Sequence, residues 1–177
     1  MDWNKTERKT DMKKITNMKD VMLQQIRSLY DADRTIYNSL PLLREKAYSQ
    51  DLKEFIDEEM EEKLRQQHRM EIIFTILKED TEGQIDDVMR CMAKSQKKLT
   101  SQCAGSELSD TMMIITGRAM ATHQINGYQT AVTCAVSVGY PDITRLLRRA
   151  LREEKGIEKK LGLLEELHLN SESLVRV

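Results

Sequence analysis

Three polar residues interrupt apolar helical stripes at positions where a hydrophobic side chain is expected: Asp33, Gln124 and Glu154. The neighbouring apolar residues recur at spacings of three and four, so each polar residue lies on the face that a helix turns toward a core. We therefore expect the three side chains to meet in one central layer. Oxygen donors placed in this way suit iron or manganese, which makes the layer a candidate metal site.

Five segments of the chain have the pattern of helices. The first follows Asn17, a good N-cap, and Pro41 is expected to bend or pause it. The second begins at Ser49 and ends before residues 80–83, and a shorter helix occupies 84–102. A third long helix runs from near Ser109 to Val138, where Gly139 stands at the usual C′ position. The fourth follows Pro141 and ends at Asn170.

Four long helices, with a long connection between the second and the third, predict an all-α, ferritin-like four-helix bundle whose crossover carries an extra short helix. The expected domain boundaries are a polar tail over 1–17 with Trp3 as its only anchor, a bundle over 18–169, and a tail over 170–177. In bundles of this type two metals are bound by a Glu from each of two helices and a Glu-x-x-His from each of the others. The only Glu-x-x-His here is Glu165 with His168, too far along the last helix to share a layer with Glu154.

Composition limits the possible function classes. The 28 basic residues nearly balance the 29 acidic ones, so no global positive field favours nucleic acid as a partner. The longest apolar stretch, 130–138, is too short to span a membrane. Three cysteines without a CxxC spacing, and the absence of an apolar stretch in 1–17, predict a reduced cytoplasmic protein. Four arginines (Arg145, Arg148, Arg149 and Arg152) form a basic strip, which we interpret as a solvated helix face.

Several segments match a known family in their order and spacing. They are Leu29-Tyr30-Asp31-Ala32-Asp33 followed by Leu40-Pro41, Glu61-Glu62 followed by Ile73-Phe74, Cys91, and Leu146-Leu147 through Leu151-Arg152-Glu153-Glu154-Lys155. With these the chain resembles the ferritin-like YciE/YciF proteins of bacteria, which are uncharacterised or stress-associated, over roughly residues 19 to 167. Since members of that family are similar to di-iron carboxylate proteins, the resemblance implies positions for metal ligands.

Carried over position by position, the resemblance places surviving acids at Asp33, Glu61 and Glu154. The ligand positions on Leu64, Ala121 and Gln124 have lost their ligand types, and the partner of Glu154 falls near Ile157 or Glu158. Tyr128 matches a family tyrosine. His123 is about 100° around the helix from Gln124 and is expected to face a neighbouring helix or solvent.

Three hypotheses follow, the last of which is membrane or nucleic-acid binding through the basic tail of residues 5–14. In the first the protein is non-catalytic, without a cofactor, and has a stress-associated structural or interaction role as a homodimer. Its buried acids then form a hydrogen-bonded layer with Gln124 and Tyr128, and Asp33 and Glu154 share a proton. In the second, Asp33, Glu61 and Glu154 form an altered site for one or two iron or manganese ions with weak oxidase or peroxide-consuming activity. No cysteine has the surroundings of a catalytic nucleophile.

Overall fold

The computed structural model describes residues 14–170, which form five helices. They are α1 (Met18–Lys46), α2 (Gln50–Leu77), α3 (Asp87–Gln102), α4 (Ser106–Val138) and α5 (Pro141–Leu169). The predicted 1–13 part of the N-terminal tail, including Trp3, and residues 171–177 lie outside the described residues. No helix within 14–170 is long and apolar enough to cross a membrane.

The four long helices close a ring, in which α1 packs on α2, α2 on α5, α5 on α4 and α4 on α1. The most extensive of these contacts joins α4 and α5. The crossover helix α3 packs outside this ring against α4 and α1. The predicted all-α bundle with a helical crossover is therefore confirmed.

Local signals explain most helix ends. Asn17 accepts a hydrogen bond from the Asp20 backbone N–H at 3.0 Å, as an N-cap should. Gly139 ends α4 with a φ of 81°, in the left-handed region that favours glycine. Pro141 begins α5, where its missing N–H costs no helical hydrogen bond.

Three predicted details of the helices differ in the structure. Pro41 does not pause the first helix, which continues through it to Lys46. α4 begins at Ser106, one turn earlier than predicted, after Gly105 in extended backbone. Ser49 stands at the N-cap of α2 without making a side-chain cap bond. The carboxylate of Asp110 instead accepts the backbone N–H groups of Tyr48 and Ser49 at 2.9 and 2.7 Å, which attaches the α1–α2 link to α4.

The apolar core consists of two clusters along the bundle. One contains residues up to Leu29 on α1 and from Met70 on α2, together with later α4 and early α5 residues. The other begins with Ala32 on α1 and continues through early α2 and α4 residues to Leu161 on α5. On every long helix the boundary between the clusters is occupied by buried polar side chains. This polar layer is the candidate site.

Candidate functional site

The polar layer consists of Asp33 on α1, Lys63 and Gln66 on α2, Gln124 on α4 and Glu154 on α5. All five side chains are buried. Asp33, Gln124 and Glu154 were expected to lie in one layer, and the structure brings them together. Lys63 and Gln66 were not predicted to lie in this layer, and Lys63 lies at its centre.

The ammonium group of Lys63 lies between the two buried carboxylates. Its Nζ donates to Asp33 Oδ1 at 3.0 Å, to Gln66 Oε1 at 3.0 Å and to Glu154 Oε1. These acceptors use all three protons of an ammonium group. A buried charge requires such partners, because its transfer out of water is otherwise very costly. Lys63 thus joins α1 and α5 through α2.

Asp33 is the second centre of the network. Its Oδ1 also accepts from Gln124 Nε2 at 2.7 Å, and its Oδ2 accepts from the Tyr128 hydroxyl at 2.8 Å. Four neighbouring helices therefore contribute to one continuous set of hydrogen bonds, with Asp33 and Lys63 directly paired at its centre. One acceptor, Gln124 Oε1, has no hydrogen-bond partner among the described residues.

The protonation of the layer follows from burial and charge. Burial alone would lower the pKa of Lys63, but the carboxylates of Asp33 and Glu154 raise it above its usual range, so the lysine is charged. Burial raises the pKa of Glu154, while Lys63 opposes this rise. Burial also raises the pKa of Tyr128, and the nearby Asp33 adds to that rise, so its hydroxyl keeps its proton. Asp33 and Glu154 were expected to share a proton, but here the Lys63 ammonium group lies between them.

Next to the layer lies Glu59, one turn before Lys63 on α2 and half-buried. Burial raises its pKa to about 7, Lys63 opposes this rise, and Glu154 adds to it. Glu59 and Glu154 both line a cavity of about 40 Å³ whose other walls are mainly apolar. That volume is sufficient for at least one water molecule.

A second ion pair joins α2 to α5 beside the layer. The Nη1 and Nη2 atoms of Arg69 donate to the two carboxylate oxygens of Glu153 in a bidentate pair, and Arg69 is buried. Bidentate pairing is the strongest geometry available to a guanidinium and a carboxylate. α2 and α5 share fewer contacts than the other neighbours in the ring, and the Lys63 and Arg69 pairs both join these two helices.

The remaining ligand positions implied by the resemblance lie elsewhere. The Glu61 side chain is 76% exposed and pairs with Arg65 on the same helix, so the expectation that it shares a site with Asp33 and Glu154 is corrected. Leu64 is 50% exposed, whereas Ala121 is buried in the core. The side chains of α2 that face the layer are those of Lys63 and Gln66, also three residues apart.

The histidines lie outside the layer. His123 faces a neighbouring element, as expected, with Nε2 at 3.2 Å from Asp86 Oδ2. Glu165 pairs with Arg118, and His168 lies 3.6 Å from Asp51. Within residues 14–170 no group of three or more His, Cys, Asp or Glu side chains is arranged to hold a metal ion.

Lys63 and Gln66 were missed because α2 is polar on most sides between 57 and 69. The apolar residues Met60 and Leu64 suggested a stripe that is one position out of register. Steps of four and three from Leu52 and Ile56 lead to 59, 63, 66 and 70, and the buried residues Met70, Ile73 and Leu77 continue that series. The signal was present in the spacing, but it required a buried lysine, a residue type that is almost never buried without a partner.

The resemblance is supported by comparison with known proteins. Residues 17–173 match a family described as a domain of unknown function, DUF892. YcfI, a putative structural protein from Rhodopseudomonas palustris, has 27% identity and a TM-score of 0.82, over 85% of this chain and 96% of that one. The stress protein YciF of E. coli has a TM-score of 0.85, over 89% of this chain and all of its own, and at 20% identity shows the shared fold alone.

No curated protein matches the sequence. The family match extends over most of the chain and includes the entire bundle with its polar layer. The chain therefore belongs to the DUF892 family and is YciF-like, as its sequence predicted.

Proposed function

We propose that this protein is a non-catalytic ferritin-like bundle with a structural or interaction role, in which the charged side chain of Lys63 replaces metal in the central layer. The observation that supports this proposal is the position of Lys63 Nζ between Asp33 and Glu154. Its ammonium group supplies the positive charge that these buried carboxylates require.

The residues of the layer do not fit a di-metal centre. The ferritin-type arrangement needs a Glu on each of two helices and a Glu-x-x-His on each of the other two. At the corresponding buried positions this chain has Asp33 and Gln124 singly, Lys63 with Gln66, and Glu154 with Ile157. Only two of these side chains are carboxylates, and both are already paired with Lys63. A divalent cation between them would lie against an ammonium group, which would repel it.

The descriptions of two similar proteins support a structural role. One similar protein is described as a putative structural protein and another as a stress protein. We therefore propose that this chain acts through its surface, in stress-associated assembly, and that it does so as a homodimer. The outer face of α2 presents the exposed aliphatic residues Leu64, Ile72 and Ile76 on one row of positions four apart, which also contains the exposed His68, and this row is a surface suited to a second copy.

Metal binding by the central layer is tested by treating two proteins with iron in the same way. Wild-type protein and a Lys63→Glu/Gln66→His variant, which restores a Glu-x-x-His on α2, are incubated anaerobically with ferrous iron, desalted and analysed for metal content. We expect no retained iron in the wild type and retention in the variant, which also shows that the assay detects a site in this bundle.

Stoichiometric iron or manganese in the wild type, lost on Asp33→Ala or Glu154→Ala, would contradict the proposal. That result would favour the altered-site metalloprotein, with oxidase or peroxide-consuming activity to be assayed next. The homodimer is tested separately by sedimentation of wild type and Ile72→Lys/Ile76→Lys. A monomeric wild type would refute the dimer without affecting the assignment of Lys63.

A further inference from the structure

Most of the arginine side chains that the structure describes are paired with a carboxylate. Within residues 14–170 most have an Asp or Glu partner in a salt bridge. Arg34 is different in that it lies over the ring of Tyr30. The other two exceptions are Arg148 and Arg152, for which the described residues provide neither a carboxylate nor an aromatic ring. Both side chains belong to the strip on α5 that the sequence suggested was merely solvated.

These two unpaired arginines line the same groove. It has a volume of about 390 Å³ and lies where α4 ends and α5 begins. Arg145 lines it as well, so three guanidinium groups lie at positions i, i+3 and i+7 along one face of α5. Arg145 pairs with Asp142 in an exposed ion pair, of the kind that contributes little to stability and exchanges readily. The groove lining contains no acidic residue.

The opposite side of the groove is apolar. Val136 lines it and is 54% exposed, and the half-buried ring of Tyr140 adjoins it. The groove thus offers positive charge along one wall and a surface for a flat or apolar group along the other. Its volume is within the range of about 300–1,000 Å³ typical of small-molecule sites.

We propose that this groove binds a phosphate-bearing small molecule of nucleotide size, with the phosphates on Arg148 and Arg152 and the organic part against Tyr140 and Val136. Guanidinium groups bind phosphate oxygens in bidentate geometry, and residues four apart on a helix are close enough to hold one phosphate or two adjacent ones. A compact ligand fits better than a nucleic-acid strand, because the chain has a formal net charge of −1 and the two unpaired arginines are confined to this groove.

The test is calorimetric titration of ATP, of inorganic pyrophosphate and of a single-stranded oligonucleotide into the full chain. Arg148→Gln/Arg152→Gln removes the two unpaired charges. The matched control, Lys155→Gln/Lys159→Gln, removes the same charge from exposed positions on α5 that do not line the groove. Val136→Glu places a carboxylate on the apolar wall at an exposed position. Thermal melting of each variant establishes that it is folded.

We expect ATP to bind the wild type and the matched control equally. It should bind Arg148→Gln/Arg152→Gln and Val136→Glu more weakly, by a factor of about ten or more. Pyrophosphate should bind more weakly than ATP because it lacks the part that contacts Tyr140. Three results would overturn the proposal: no binding of ATP to the wild type, an equal loss in the groove variant and in the control, or tighter binding of the oligonucleotide than of ATP.

Discussion

Replacing Lys63 by methionine tests whether the lysine holds the centre of the bundle together. Methionine has nearly the same length and fills the same space, so the change removes charge with little change in packing. Asp33 and Glu154, at 0% and 1% exposure, would then be left with no cation between them. Removing one partner of a buried ion pair costs about 3–5 kcal/mol, which is a large part of a total stability of about 5–15 kcal/mol.

For a chain of this size that loss corresponds to a fall in melting temperature of about 10 °C. Urea denaturation followed by circular dichroism gives the free energy of unfolding, and Lys159→Met, at an exposed position, is the matched control. A triple variant, Lys63→Met/Asp33→Asn/Glu154→Gln, removes the orphaned charges as well. It should recover much of the loss, because a neutral layer leaves no buried charge without a partner.

The pH dependence of the Lys63→Met variant provides a second test. Without the ammonium group, the folded-state pKa of Glu154 rises further above its unfolded value, because burial disfavours the charged form and Lys63 no longer opposes this rise. A group whose pKa is raised on folding contributes stability at low pH and loses it as the pH rises through the folded-state pKa. The deficit of the variant should therefore be smaller at acidic pH than at alkaline pH. A variant as stable as the wild type at alkaline pH, or a deficit that grows on acidification, would refute our account of the layer.

Three further predictions concern single positions. The pKa of Glu59 is raised to about 7, so the wild type should lose stability as the pH rises through neutrality. Urea titrations of Glu59→Gln across that pH range should show a weaker dependence of stability on pH. A Cβ on Gly127 would lie 2.7 Å from a methyl carbon of Leu29, so Gly127→Val should lower the free energy of unfolding by about 1–3 kcal/mol. Gly156 has open space around it, so Gly156→Ala should raise the free energy of unfolding by about 0.5–1 kcal/mol. Thermal melts in which Gly127→Val is neutral would contradict this close approach of α1 and α4. Tyr128→Phe removes a hydrogen bond to the layer's buried aspartate and should cost about 1.5–3 kcal/mol in urea denaturation, and a loss below about 0.5 kcal/mol would argue that this bond is dispensable.

Local sequence signals were sufficient to predict most of the fold. Asn17, Gly139 and Pro141 act on backbone groups within a few residues of themselves, so their effects can be inferred without knowing what packs nearby. Asp33 and Glu154 could be placed in a central layer for a similar reason. Each is one polar residue in an otherwise clear apolar stripe, and the stripe fixes the direction of its side chain.

Lys63 shows what only the tertiary structure could decide. On α2 the stripe is interrupted, and Met60 and Leu64 directed the prediction to a face that turns outward. The family resemblance placed a ligand at Glu61, and Lys63 was overlooked. The spacing from Leu52 and Ile56 leads to position 63, but a lysine is almost never buried without a partner, and nothing near it in the sequence indicates that partner. It is buried here because α1 and α5, thirty residues before it and ninety-one after it, bring a carboxylate each to its ammonium group. That meeting depends on the packing of the four helices, since only their closure removes water from all three charges together.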